Sequence, residues 1–205
     1  MVQKISGSET TTDKHETYTS MTSRYKTSMK HGFYLEAMLI DYAMLEDRLT
    51  AFLWSAGVMN DTENFSFGNR RNKSQLSEIY TAYAGEDKKL RLRNISGKIN
   101  TILALIDFGS KPYNGDDHYL SALHKGLQEI RLDELKETLS ALDDWREYRN
   151  EIIHDAMNKN IYSLYEHLEE YAESGLKYAR VIDNESKKLK RRSYIRKSVK
   201  MPLKK

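Results

Sequence analysis

Residues 133–154 read DELKETLSALDDWREYRNEIIH. Leu135, Leu139 and Leu142 recur at steps of three and four, which lines one face of an α-helix. Asp133 is of the residue type that caps a helix start. Carried forward at the same spacing, the stripe reaches Arg146, Arg149 and Ile153. Two arginines thus stand where the pattern calls for core residues. A guanidinium keeps its charge and is costly to bury unpaired. Either the stripe rises out of the protein at this point, or the arginines line a pocket or interface with an anionic partner.

The rest of the chain reads in the same helical period. Ser28 to Ala56 places Tyr34, Met38, Tyr42, Leu45, Leu49 and Phe52 on one face, with Gly57 as a stop. Residues 61–73 read as a loop, and Ser74 as the cap of a short helix bearing Leu76, Tyr80 and Tyr83 and ended by Gly85. Asp87 to Phe108 aligns Leu92, Ile95, Ile99, Ile102 and Ile106. Gly109 to Asn114, with Pro112, breaks the chain before a short helix over Asp116 to Lys125. Asn158 and Asn160 mark a turn, and from Ile161 a last helix carries Leu164, Leu168, Ala172, Leu176 and Ala179. There is no internal repeat and no sheet-building alternation. The expected fold is all-α: a bundle of four to five main helices with short extra helices. The expected organisation is a flexible polar segment over 1–27, a helical domain over 28–186, and a basic tail over 187–205.

The 205 residues suit one domain, and 39% hydrophobic against 31% charged residues with two prolines permits a real core. Cysteine is absent, which excludes disulfides and cysteine-based zinc sites and fits a reducing, cytoplasmic setting. No apolar run approaches the roughly 20 residues needed to span a bilayer, so no membrane partner is expected, and residues 1–24 lack the apolar stretch of a signal peptide. Net charge is +3, yet the segment 187–205 holds ten Lys or Arg and no acid, leaving the remainder near −7. Lys187, Lys188, Lys190, Arg191 and Arg192 are therefore candidate RNA-phosphate contacts. The competing reading is a solvated helix end that frays. No phosphate-cradling glycine loop and no nucleophile elbow occurs, so kinase-like, dinucleotide-binding and hydrolase readings have no support.

His154 follows Arg149-Asn150 in the run RNEIIH. On an undisturbed helix a five-residue step turns the side chains about 140° apart and separates them by about 7.5 Å along the axis. They converge if the helix ends or loosens near Ile153.

This run resembles the Arg-x4–6-His signature of the HEPN superfamily, in the form with Asn after the Arg. In that family the motif lies near the end of a penultimate amphipathic helix, over which a last helix packs. The resemblance covers the architecture from about Phe33 to Ile182, and specific residues only at the motif. A second match, Arg24 to His31, lacks the Asn and precedes the first strong helix. The resemblance implies a metal-independent endoribonuclease, a toxin or antiviral effector, acting as a homodimer with one composite cleft. A possible antitoxin or regulatory partner goes with that reading. RNA supplies its own nucleophile, the 2′-OH. His154 serves as general acid or base near neutral pH, and Arg149 stabilises the charged phosphorane. Asn150 orients His154 or contacts phosphate. Neither metal nor other cofactor is required. The products would carry 2′,3′-cyclic phosphate and 5′-OH ends.

Glu46 or Asp47 is a candidate to hold the catalytic Arg, with Asp41 as a further one and Arg146 as a supporting residue. Exposed helix charges are the plainer account of the acids. Some toxin relatives extend the motif to His-x-Tyr, where a partner modifies the tyrosine. Here that position is Ala156, so that mode of control does not transfer. Arg70, Arg71 and Lys73 form a small basic cluster, while His118, His124 and His167 read as surface or packing residues. The alternative to an enzyme is a non-catalytic helical module that binds nucleic acid or a protein.

Overall fold

The computed structural model describes residues 11–61, 66–67, 70–155 and 167–199. They form α1 (Thr11–Lys30), α2 (Tyr34–Ser55), β1 (Met59–Asp61), β2 (Ser66–Phe67), α3 (Arg70–Ala84), α4 (Ile95–Ser110), α5 (His118–Leu127), α6 (Leu132–Asp155), α7 (Leu168–Lys190) and α8 (Ser193–Ser198). The two strands make one small antiparallel pair, Met59 opposite Phe67. The chain is an all-α bundle.

The bundle is built on a seam between α2 and α7, its most extensive helix–helix contact. From α2 the seam and the adjoining core take Ala37, Met38, Leu45, Leu49, Phe52 and Leu53. From α7 they take Leu168, Ala172, Ala179, Ile182 and Leu189. Helix α6 lies against α7 and α4, and α4 carries α3 and α5. The α6–α7 contact is pinned where Trp145, 1% exposed, donates its Nε1–H to the Tyr171 carbonyl at 2.7 Å.

Four boundaries differ from those the periodicity predicts. Residues 11–30 form a helix, although 1–27 reads as flexible. Tyr18, Met21, Tyr25 and Met29 recur at helical steps among the polar residues and pack on the core. The buried Tyr25 hydroxyl donates to the Ala172 carbonyl at 3.0 Å, and Tyr18 donates to Asp47 at 2.6 Å. The helix predicted from Ser28 is divided at Gly32, whose φ of +73° suits glycine. In the stretch read as a loop, 61–73, α3 already begins at Arg70. Conversely, α4 begins only at Ile95 rather than near Asp87. Asn94 caps it, accepting from the Gly97 amide at 2.8 Å.

The largest correction concerns 187–205. As far as Val199 this segment is folded, not a solvated tail. Helix α7 runs to Lys190, and α8 packs on α5 with Ile195 fully buried and Val199 5% exposed. Gly57 makes room for it: with φ +76°, it would place a Cβ 2.8 Å from Val199 and 2.9 Å from Tyr119. Arg196 sits over the Trp54 ring at 4.3 Å and donates to the carbonyls of Trp54 and Met59. It thereby satisfies a carbonyl in the last turn of α2. A positional pattern could not separate this cation from its exposed neighbours.

One acid lies inside the seam. Asp41 is fully buried, and neither carboxylate oxygen has a hydrogen-bond partner. It faces Gly175 of α7, where any Cβ would come within 2.7 Å of Oδ2. Burial pushes its pKa up to about 8. The folded state therefore holds a proton that the unfolded chain releases near pH 4. Stability is greatest below that point and falls as pH rises toward 8. Thermal unfolding across this window will show a declining Tm that flattens in Asp41→Asn; an unchanged slope in the variant would refute the assignment. Truncating Ile195 to Ala is expected to cost about 2–5 kcal/mol in urea unfolding, whereas a frayed tail would give no loss.

Candidate functional site

Helix α6 buries Leu135, Leu139, Leu142, Trp145 and Ile152. The inner face thus passes through Trp145 and Ile152, not through Arg146 and Ile153 as a plain continuation of the stripe suggests. Ile153 is 37% exposed. Arg146 is turned to the carboxylates of its own helix, pairing with Asp143 at 2.8 Å and Glu147 at 3.1 Å. Those contacts give Arg146 a helix-surface role and do not bring it to Arg149.

Arg149 is different. Its guanidinium lies 4.2 Å above the centre of the Tyr42 ring, reaching across to α2. One terminal nitrogen donates to the Asn150 Oδ1 at 3.0 Å. Its Nε is buried and has no hydrogen-bond partner. No carboxylate among the described residues pairs with it. The cation is thus held by an aromatic face and a neutral amide, with donor capacity left over. By contrast, Arg48, Lys98 and Lys187 pair with Asp183, Glu46 and Asp183 respectively.

His154 is exposed, near the end of α6. The helix persists through Asp155, so the loosening near Ile153 that would bring Arg149 and His154 together does not occur. At about 100° per residue, the two side chains diverge by about 140° within one chain. Asn150 lies between them: it bonds Arg149 and, four residues before His154, stands one turn away on the same face. A single chain therefore presents the three motif residues across an arc of about 140° at the helix end, not as a closed pair.

The supporting acids go elsewhere. Glu46 takes the buried Lys98 ammonium at 3.0 Å, and Asp47 accepts from Tyr18. Asp41 is sealed in the α2–α7 seam. Of the second Arg–His match, Arg24 pairs with Glu36 on the surface and His31 stacks near Phe33. Among the candidate RNA contacts, Lys187 pairs with Asp183, Lys188 with the buried Glu185, and Arg192 with Glu129. Lys190 and Arg191 are exposed. Arg131, Lys187, Lys188 and Arg191 line a cleft of about 270 Å³ together with Glu134 and Glu185. Its α6 residue, Glu134, lies about 22 Å along the helix from Arg149, taking 1.5 Å per residue. The side chains of Arg70 and Arg71, and residues Ala156, Asn158, Asn160, Ile161, Leu164 and Glu166, lie outside the described residues.

Tyr42 is the site residue that periodicity hides. It fits the α2 stripe as one more apolar position, and only the cation above it reveals its use. Tyr148 likewise stacks on Tyr171 at 3.7 Å, forming an aromatic wall beside Arg149. Lys98 also escapes a reading that treats α4 as an apolar helix. Among the described residues, no three histidine or acidic side chains gather as a metal-binding group, and no helix is long and apolar enough to cross a membrane.

No protein-family model, curated protein or solved structure matches this chain.

The contrast between two aromatic-held arginines is measurable. Arg149→Met should leave folding stability unchanged or raise it by up to about 1 kcal/mol, because an uncompensated cation is removed. Arg196→Met should lower it by about 1–3 kcal/mol, since two carbonyls lose their donor. Equal losses in denaturant unfolding would mean that Arg149 is merely structural.

Proposed function

We propose that the chain is a HEPN-like, metal-independent endoribonuclease that works as a homodimer. The observation that carries this reading is the state of Arg149: a permanent cation fixed over Tyr42 and bonded to Asn150, with no carboxylate among the described residues to neutralise it. A guanidinium kept in this state suits a phosphodiester, whose oxygens accept its paired N–H donors. His154 supplies an imidazole, a group that can take up or give back a proton. It takes the proton of the RNA 2′-OH, or returns one to the departing 5′ oxygen, while Arg149 stabilises the charge that builds on phosphorus-bound oxygen. Asn150 holds the guanidinium in place.

Because Arg149 and His154 diverge within one chain, the reaction requires a second copy. Leu39 and Ile153, 44% and 37% exposed, stand about one helical turn from Tyr42 and Arg149 respectively and offer apolar area for that association. Two motif sets facing each other would supply one acid and one base. Cutting cellular RNA in this way is the action of a toxin or antiviral effector, held in check by a regulatory partner. The same divergence favours the alternative, a non-catalytic helical module that binds nucleic acid or protein, should the chain remain monomeric.

The test is incubation of the full chain with labelled RNA in EDTA. Wild type should yield 2′,3′-cyclic phosphate ends and leave DNA intact. Arg149→Ala and His154→Ala should each reduce cleavage by at least about a hundredfold, with RNA binding retained by His154→Ala. Sedimentation should show a dimer at micromolar concentration. Monomer alone, or cleavage indifferent to both substitutions, would defeat the proposal. Deleting 187–205 is not a clean probe of RNA contact, because it removes α8 from the core.

A further inference from the structure

One turn before Arg149, the α6–α7 junction opens into a groove of about 440 Å³. It is lined by the aromatic side chains of Trp145, Tyr171 and Tyr178, by His167, and by the carboxylates of Asp144 and Glu170. No lysine or arginine lines it. Neither Asp144 nor Glu170 has an ion-pair partner among the described residues, whereas carboxylates such as Asp183, Glu185 and Glu129 are engaged by cations. The Tyr178 hydroxyl is pushed up by burial, with the fields of Tyr171, Asp144 and Glu170 adding to the rise and Ser174 opposing it. Both acids therefore act on the same space. The floor is fixed, because Trp145 is bonded to the Tyr171 carbonyl and Tyr171 is stacked on Tyr148.

Aromatic faces attract cations through their negative π-surface, and unpaired carboxylates at the rim add charge-assisted hydrogen bonds. The two carboxylates repel phosphate. We infer that this groove is a binding site for an organic cation, a guanidinium or ammonium carried on an apolar stem. The stem lies along Tyr171 and Tyr178 while the charged head reaches Asp144 and Glu170. A protein-borne arginine or lysine and a free polyamine share this chemistry. A ligand seated here stands one helical turn, about 5.4 Å, from the Arg149 end of α6. It would therefore sit beside the proposed cleavage site without using its residues. The assignment goes beyond the ribonuclease reading and stands or falls separately from it.

The experiment is an NMR titration of the full chain, following the Trp145 indole N–H. The probes are an acetylated Gly-Arg-Gly amide, spermidine, the same peptide with citrulline in place of arginine, and guanosine monophosphate. The arginine peptide, or spermidine, or both, should give a saturable shift at Trp145. Response to the peptide alone names a protein-borne cation, and response to spermidine names a free amine as well. The double variant Asp144→Asn, Glu170→Gln should bind about tenfold or more weakly. Both positions are exposed, and unchanged thermal unfolding will confirm that the variant folds. Equal response to the citrulline peptide, undiminished binding by the double variant, preference for guanosine monophosphate, or no saturable shift with either cation would overturn the assignment.

Discussion

The close approach of α2 and α7 is the constraint on which the remaining structure rests. Gly175 lets the two backbones come together, and the space a side chain would fill there is occupied by Asp41. The candidate site is referred to this seam. Tyr42 projects from α2 to meet Arg149, and Tyr171 projects from α7 to carry Tyr148 and receive Trp145. Helix α1 is tied to both sides through Tyr18 and Tyr25, and Arg48 of α2 reaches Asp183 of α7 at 3.0 Å. Position of the motif is thus a property of the seam as much as of α6.

The helical class and the inner faces of α2, α6 and α7 were legible because leucine, isoleucine and methionine recur at helical steps. What stayed hidden was carried by residues whose type points outward. Helix α1 is threaded with Ser, Thr and Lys, and its two inward tyrosines, Tyr25 buried and Tyr18 partly buried, are outvoted in any window average. Helix α8 lies within a run of cations, yet Ile195 and Val199 decide its fate. Lys98 is fully buried, against the habit of its side chain, because Glu46 lies within 3.0 Å. In each case a long-range partner overrides a local preference, and no window of sequence contains that partner.

The site was legible in part for a related reason. Arg149 stood out as a charge on an apolar stripe, and the structure places it half-buried over Tyr42. Arg146 stood out equally, but a slight rotation of the inner face toward Trp145 and Ile152 leaves it among Asp143 and Glu147. The difference between the two arginines is one of compensation: one is paired with carboxylates of its own helix, and the other has no carboxylate partner among the described residues. Glu46 and Asp47 show the converse, since acids that looked available to Arg149 are taken by Lys98 and Tyr18. The five-residue separation of Arg149 and His154 turned on where α6 stops, and sequence marks such endings poorly.

The anchoring of α8 has a consequence for how the molecule is made. Arg196 bonds the Met59 carbonyl across 137 positions of chain, and Gly57 waits for Val199. Contacts so remote in sequence close late. During synthesis the end of α2 must therefore stay open, with its terminal carbonyls wet and its apolar seat uncovered, until residues 195–199 have left the ribosome. A product cut short after α7 would keep the motif but lose its clasp, and would present that bare seat to chaperones and proteases. Arrival of α8 is in this sense built into the fold as a checkpoint.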